Sequence, residues 1–335
     1  MQGTGQPRSK FSKDSDMQSQ TNPVSSQQLG PAEWEVVDER FRPGLIARVR
    51  SLAANLNVCP LGQTYIRTAA DAPSRRVRST AKSLSGLFPS SKLGVSIGFE
   101  SHTLELAMVT TLEYDDGVVA YFDQPPAVTV SYQRNGRKRS YKQTPDFLVL
   151  RHGQIVLIEC KPLANVNSRN QSDPGFYVLE GRRWSCPPLQ AAARELGIQH
   201  EVWTEDSFSP IKLRNLRLLG DYMGDATVAE MDRALAAMRG VLDTKARANV
   251  ADLLGELRET ISVDHLYSAI ARGDVAFDWE AAPLADPKRC FVYRNESTLR
   301  AFASSEAANV PERDRILPAQ VVIALGSGLD WDGGR

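Results

Sequence analysis

A chain of 335 residues with 42% hydrophobic content has room for two compact domains, and no apolar run in it is long enough to span a bilayer. Lysine plus arginine equal aspartate plus glutamate at 40 each, so the zero net charge offers no overall attraction to nucleic acid, and any such role must rest on local clusters. Cys59, Cys160, Cys186 and Cys290 form no CxxC pair and are not grouped with the four histidines, which argues against a zinc site and for reduced cytosolic thiols.

No charged segment followed by an apolar one opens the chain, so export is not expected and a cytoplasmic location is. Residues 1–35 are rich in Gln, Ser, Gly and Pro and read as a disordered tail. A short helix is expected around Pro43 to Ala54, followed by loop-rich basic sequence. Between Leu61 and Gly98 six basic residues (Arg67, Arg75, Arg76, Arg78, Lys82, Lys92) face one acid, Asp71. Phe99 to Tyr114 reads as a helix stopped by Asp115-Asp116-Gly117. Its apolar face of Leu104, Met108, Val109 and Leu112 carries Glu105 near the middle and Glu100 at the edge. A carboxylate in an apolar face is costly unless it meets a cation, which singles out Glu105.

Ser131 to Pro145 holds Arg134, Arg137, Lys138, Arg139 and Lys142 and no acid. Together with Arg75, Arg76 and Arg78 these are candidates for contact with a phosphate backbone, the alternative being solubilising loops. Gln124 is a further candidate for contact with the site or with DNA, with a buried structural amide as the competing reading.

Phe147 to Leu150 and Ile155 to Ile158 have strand composition, joined by Arg151-His152-Gly153-Gln154. A two-residue turn at His152-Gly153 places Asp146 directly across from Glu159, with Lys161 on the same face. Two opposed carboxylates repel unless a cation lies between them, so the pattern points to a divalent metal held by hard oxygen ligands, with a lysine beside it. The alternative is an exposed hairpin with an ordinary Glu159–Lys161 pair. Against it, both strands are apolar on both faces, as buried strands are, and the charges begin where the apolar runs stop.

Leu163 to Gly175 reads as a polar loop, Pro187 to Leu196 as a helix closed by Gly197, and His200 to Thr204 as a strand. Amphipathic helices are expected at Ile211 to Met223, Thr227 to Leu242, Lys245 to Thr260 and Val263 to Arg272, then strands at Val275 to Trp279 and Cys290 to Tyr293. Helices followed by a two-stranded wing suggest a winged-helix domain. Asp225 to Arg335 carries 18 acidic and 13 basic residues, which favours a protein partner over DNA for this part. Gly326 to Gly334 reads as a flexible acidic tail.

The Asp146, Glu159, Lys161 hairpin resembles the PD-(D/E)xK nucleases. Thr103 to Ala107, Asp123-Gln124-Pro125, Thr144 to Leu148 and Ile158 to Pro162, in that order and spacing, resemble more narrowly TnsA, the endonuclease subunit of heteromeric bacterial transposases. The likeness extends weakly through Arg183-Trp184, the strand of Gly197 to Glu205 and the helix near Ser209-Pro210, covering roughly Pro73 to Asp278. It implies a restriction-endonuclease-like mixed sheet flanked by helices and, taken with the residue pattern, divides the chain into a nuclease domain over 36–207, a helical, winged-helix partner-binding domain over 208–310 and a flexible tail over 311–335, the N-terminal tail and the last 50 or so residues having no counterpart in the family. It implies catalytic Glu105, Asp146, Glu159 and Lys161, with Mg²⁺, or Mn²⁺ in its place, on the three carboxylates and the backbone carbonyl of Cys160. The best-known member has glutamine at the position of Glu159, so this chain would give the metal one more anionic ligand. The implied activity is cleavage of the 5′ ends of a transposon, with transposon-end DNA, an integrase-like transposase and a regulatory AAA+ ATPase as partners in a bacterial cytoplasm. A standalone restriction- or repair-type nuclease and a non-catalytic adaptor between transposase and ATPase are the alternatives.

Overall fold

The computed structural model describes residues 39–73, 85–101, 103–181, 183–223 and 228–309. The expected N-terminal and C-terminal tails, and with them Arg75, Arg76, Arg78 and Lys82, lie outside the described residues.

Two helices come first, α1 (Leu45–Asn55) and α2 (Pro60–Asp71). The first matches the helix expected around Pro43 to Ala54, while α2, which carries proline at its first turn, occupies sequence expected to be loop-rich. A hairpin of β1 (Gly86–Ser90) and β2 (Val95–Phe99) leads to α3 (Glu105–Glu113). The expected helix from Phe99 is therefore too long at its start. Phe99 closes a strand, Glu100 lies outside the helix, and Glu105 is its first residue. The buried set Ala107, Met108, Val109, Thr110 and Leu112 shows why one apolar stripe is too narrow a description, because this helix is enclosed nearly all round.

β3 (Val118–Asp123), β6 (Phe147–Arg151), β7 (Gln154–Cys160) and β10 (Gln199–Trp203) lie side by side in a six-stranded mixed sheet, extended past β10 by β9 (Arg183–Ser185) and β8 (Val178–Glu180). Every pairing is antiparallel except β7 with β10. Phe147 faces Ile158 and Arg151 faces Gln154 around a His152-Gly153 turn, the register expected from sequence. A separate two-stranded ribbon, β4 (Val128–Arg134) with β5 (Arg137–Gln143), turns at Asn135-Gly136, both with positive φ (50° and 71°), the conformation a tight hairpin turn demands. Its chain continues through Thr144 and Pro145 directly into Asp146.

Helix α4 (Leu163–Ser172) replaces the expected polar loop. It buries only Val166, so its sequence lacks the apolar period by which a helix is normally read. α5 (Pro187–Glu195) then returns the chain to β10. The buried apolar residues from Phe41 to Val202 form one continuous cluster, including all of Phe147–Leu150 and Ile155–Ile158. At about 25 cal/mol per Å² of buried apolar surface, this sheet and its covering helices supply most of what holds the site in place.

A second cluster runs from Leu219 to Val292. It contains α6 (Pro210–Leu219), α7 (Met231–Lys245), β11 (Arg247–Asn249), α8 (Val250–Glu256), α9 (Val263–Ala271), β12 (Ala276–Phe277) and β13 (Phe291–Tyr293), followed by α10 (Glu296–Asn309). The expected Lys245 to Thr260 helix is interrupted. Ala246 has φ 63°, Arg247–Asn249 pairs with β13, and Asn249 caps α8 by accepting from the Ala251 and Asp252 N–H groups. The three short strands form one antiparallel sheet in the order β11-β13-β12. Among the described residues no helix is long and apolar enough to cross a membrane.

Candidate active site

The β6–β7 hairpin ends in charge. The paired register ends at Phe147–Ile158, and just beyond it the Asp146 N–H donates to the Ile158 carbonyl at 3.0 Å, next to Glu159. The next donor along β7, the Cys160 N–H, goes to the Asp146 side chain instead, 2.7 Å from Oδ2. On the other side the Gln124 N–H donates to the Asp146 carbonyl at 2.9 Å. The aspartate is thus fixed from two neighbouring strands.

Glu159 is 2% exposed. Its Oε1 accepts from Lys161 Nζ at 2.8 Å and from Gln143 Nε2 at 2.9 Å, whereas Oε2 is buried with no hydrogen-bond partner. Glu105 comes from the start of α3, where the helix's unpaired N–H groups favour a negative charge. Its Oε2 accepts from the Glu100 N–H at 2.7 Å.

Asp146 and Glu159 both act on Lys161, and the protonation equilibria reflect it. Burial pushes the Asp146 carboxyl up to about 7; the charge of Lys161 opposes the rise, and Glu105 and Glu159 add to it. Burial alone would lower the Lys161 ammonium, yet the Glu159 and Asp146 carboxylates outweigh it and leave the lysine above its ordinary value. Lys161 is therefore a cation at every physiological pH.

The donor set bears on whether the site fits a divalent ion. Among the described residues no three His, Cys, Asp or Glu side chains are gathered closely enough to form a ready ligand cluster. The donor set nevertheless fits a hard cation in three respects: its side-chain ligands are oxygens, Glu159 Oε2 is a buried acceptor without a donor, and Asp146 holds a proton more tightly than an isolated carboxyl does. Each carboxylate meanwhile rests on a local donor, Glu105 on the Glu100 N–H, Asp146 on the Cys160 N–H and Glu159 on Lys161.

The remaining expected residues divide. Arg137, Lys138, Arg139 and Lys142 are exposed on the β4–β5 ribbon. Arg134 is turned back onto α4, donating to the Ser172 carbonyl at 3.0 Å and lying 3.7 Å from Asp173. Gln124 is 1% exposed, which withdraws its side chain from any DNA surface and favours the structural-amide reading; its φ of 45° bends the chain at the end of β3. The Cys160 thiol is buried in the core, and burial pushes it well above its ordinary range.

Two further residues at the site have no role that the sequence alone announces. Gln143 reaches Glu159 from the end of β5, and its one signal is its place three residues before Asp146. His200, on β10, lies with Nε2 3.9 Å from Glu159 Oε2 and is linked to it by the parallel β7–β10 pairing, which no local pattern reveals. An open groove of about 410 Å³ borders Glu159 and Lys161, walled by Tyr141, Asn165, Arg169 and Tyr177.

No protein-family model matches the chain, and no curated protein matches it.

Proposed function

We propose that this chain is a metal-dependent DNA endonuclease of the PD-(D/E)xK type, acting as the TnsA-like subunit that cuts the 5′ ends of a transposon beside a partner transposase. The observation that carries the reading is the electrostatic coupling of buried Asp146, at the end of the β6–β7 hairpin, to Lys161, Glu105 and Glu159, with Lys161 bonded to Glu159.

Glu105, Asp146 and Glu159, with the backbone carbonyl of Cys160, would hold Mg²⁺, or Mn²⁺ in its place. The ion would supply Lewis-acid neutralisation of the scissile phosphate and a more acidic water. The chain's own part is positional and electrostatic. Asp146, pinned by the Cys160 N–H through Oδ2, would offer its other carboxylate oxygen to the ion once deprotonated. Lys161, cationic and tethered to Glu159 Oε1, is poised to leave that carboxylate for a phosphate oxygen and to stabilise the charge that builds up there. Gln143 remains on Oε1 and limits how far Glu159 can turn when Lys161 leaves.

The exposed Arg137, Lys138, Arg139 and Lys142 lie on a ribbon whose chain runs straight into Asp146, which supports a phosphate-backbone contact next to the cut. The run α7, β11, α8, α9, β12, β13 follows the order of a winged helix, and its acidic composition supports a transposase or ATPase as its partner.

The test is nicking of transposon-end DNA by the full chain with its neighbouring transposase, with and without Mg²⁺, against Asp146→Ala. Metal-dependent cleavage that disappears in the variant is the expected result. Unchanged cleavage by pure variant would sink the assignment.

A further inference from the structure

His200 is the least satisfied polar side chain near the site. It is 5% exposed, and neither ring nitrogen has a hydrogen-bond partner. A buried imidazole with both nitrogens idle is a poor choice for a core position, where an aliphatic residue would lose nothing by desolvation. A polar atom close to it is equally idle: Glu159 Oε2, 3.9 Å from Nε2. The two residues sit on adjacent parallel strands, His200 pairing with Leu157 two places before Glu159, so the sheet itself fixes their separation. A gap of 3.9 Å exceeds a hydrogen bond by about 1 Å, within the reach of a small side-chain rotation. A neutral imidazole carries a single N–H, which it can offer from one nitrogen only.

We propose that His200 is a positioning residue that donates its Nε2–H to Glu159 Oε2 and so orients this carboxylate for the ion and the substrate. Lys161 and Gln143 fix the opposite oxygen, so the carboxylate plane is held from both ends. When Lys161 moves to a phosphate, His200 on Oε2 and Gln143 on Oε1 together keep Glu159 from swinging out of the site. A second donor of this kind is the usual means by which a ligand's orientation is set and its affinity for the ion sustained. The histidine contact stands on geometry alone, while its consequence for the metal rests on the nuclease reading above.

The contact is read directly from the imidazole nitrogens of ¹⁵N-histidine-labelled full-length protein in EDTA, with His200→Gln identifying the resonance among the four histidines. The expected result is a neutral Nε2–H tautomer whose Nε2 resonance moves in Glu159→Gln. An Nδ1–H tautomer, or a resonance indifferent to Glu159→Gln, overturns the proposal. Calorimetric titration with Mg²⁺ alone then reads the consequence. His200→Leu should bind about tenfold to a hundredfold more weakly. His200→Gln, which can place an amide N–H where Nε2 stood, should recover most of the loss, and His200→Asn, which mimics Nδ1, should not. Equal affinity in wild type and His200→Leu rejects the positioning role. A wild-type chain that takes up no Mg²⁺ rejects the nuclease reading instead, and the nitrogen resonance still decides the His200–Glu159 contact.

Discussion

Lys161 Nζ lies 2.8 Å from Glu159 Oε1 across a two-residue step of one strand, and the same glutamate leaves its other oxygen buried and unbonded. The lysine is thus both the counter-charge of the metal-free site and the group proposed to leave it for the substrate. Removing it leaves the buried Glu159 Oε1 with Gln143 as its remaining donor. Lys161→Met should therefore reduce cleavage by two orders of magnitude or more and, without metal, lower stability by about 1–3 kcal/mol, less than the ~3–5 kcal/mol of a fully buried pair because the lysine side chain is 32% exposed. Denaturant unfolding in EDTA and again in Mg²⁺ checks this, and a variant as stable as wild type in EDTA would mean that the pair is merely a surface contact.

Asp146 gives the pH dependence. Its carboxyl is raised from 3.8 to about 7 by burial first and by its acidic neighbours after, so folding takes up a proton in that window. The resulting stability is complete below pH 3.8 and declines as the pH climbs through 7, by at most about 1.4 kcal/mol for each pH step of one. In EDTA the wild type should thus lose more stability between pH 5 and pH 8 than Asp146→Asn, which cannot titrate there. Mg²⁺ at pH 8 should restore the wild type and leave the variant unmoved. Parallel pH profiles for the two proteins would contradict the raised value.

The hairpin is the part of the molecule that sequence can disclose, for a physical reason. Two apolar runs, a glycine in the turn and charges at a fixed offset leave a single register, and the pairing of Phe147 with Ile158 follows. Asn135-Gly136 is an equally strong turn signal for the β4–β5 ribbon, yet no strands are expected around it from sequence, because neither strand is apolar along its length. Helix α4 is invisible in the sequence because only Val166 is buried, and His200 because a parallel neighbour is set by the crossover through α4 and α5 rather than by anything local. Glu105 emerges from a helix drawn too long. Its burial comes from its place at the start of α3 and not from the middle of an apolar face.

That difference sharpens the contrast between the two glutamates. Glu105 presents its carboxylate to the site and accepts from the Glu100 N–H, a bond that uses only the backbone of residue 100. Glu105→Gln should lower turnover by at least about a hundredfold, while Glu100→Gln, which keeps that N–H, should change it by less than about tenfold. Single-turnover rates at saturating Mg²⁺ separate the two, and the reverse ranking would move the site to the other face of the β2–α3 junction.

The ribbon and the C-terminal body should separate in their salt response. Replacing Arg137, Lys138, Arg139 and Lys142 together by Gln should reduce the slope of log affinity against log salt by up to about 0.9 for each phosphate no longer neutralised, uniformly across DNA sequences. Arg134→Gln should change the slope little, since that guanidinium is already engaged by Ser172 and Asp173. A slope unchanged by the fourfold replacement would take the ribbon out of the DNA interface.

Asn215 determines where the chain can be cut to test the partner-binding part. It is buried on α6, donates to the Trp279 and Ala282 carbonyls at 3.0 Å each, and accepts from the Leu284 N–H at 2.7 Å, so α6 is bound into the second cluster that Leu219 also enters. A chain truncated at Asp225 keeps α6 but strips Asn215 of all three partners and uncovers Leu219. A chain ending at Ser209 removes the helix with them. The shorter protein should melt cooperatively, retain Mg²⁺-dependent nicking and lose stimulation by the transposase and ATPase, whereas the longer truncation should aggregate. Unimpaired stimulation of the shorter protein would place the partner surface on the sheet-containing body instead.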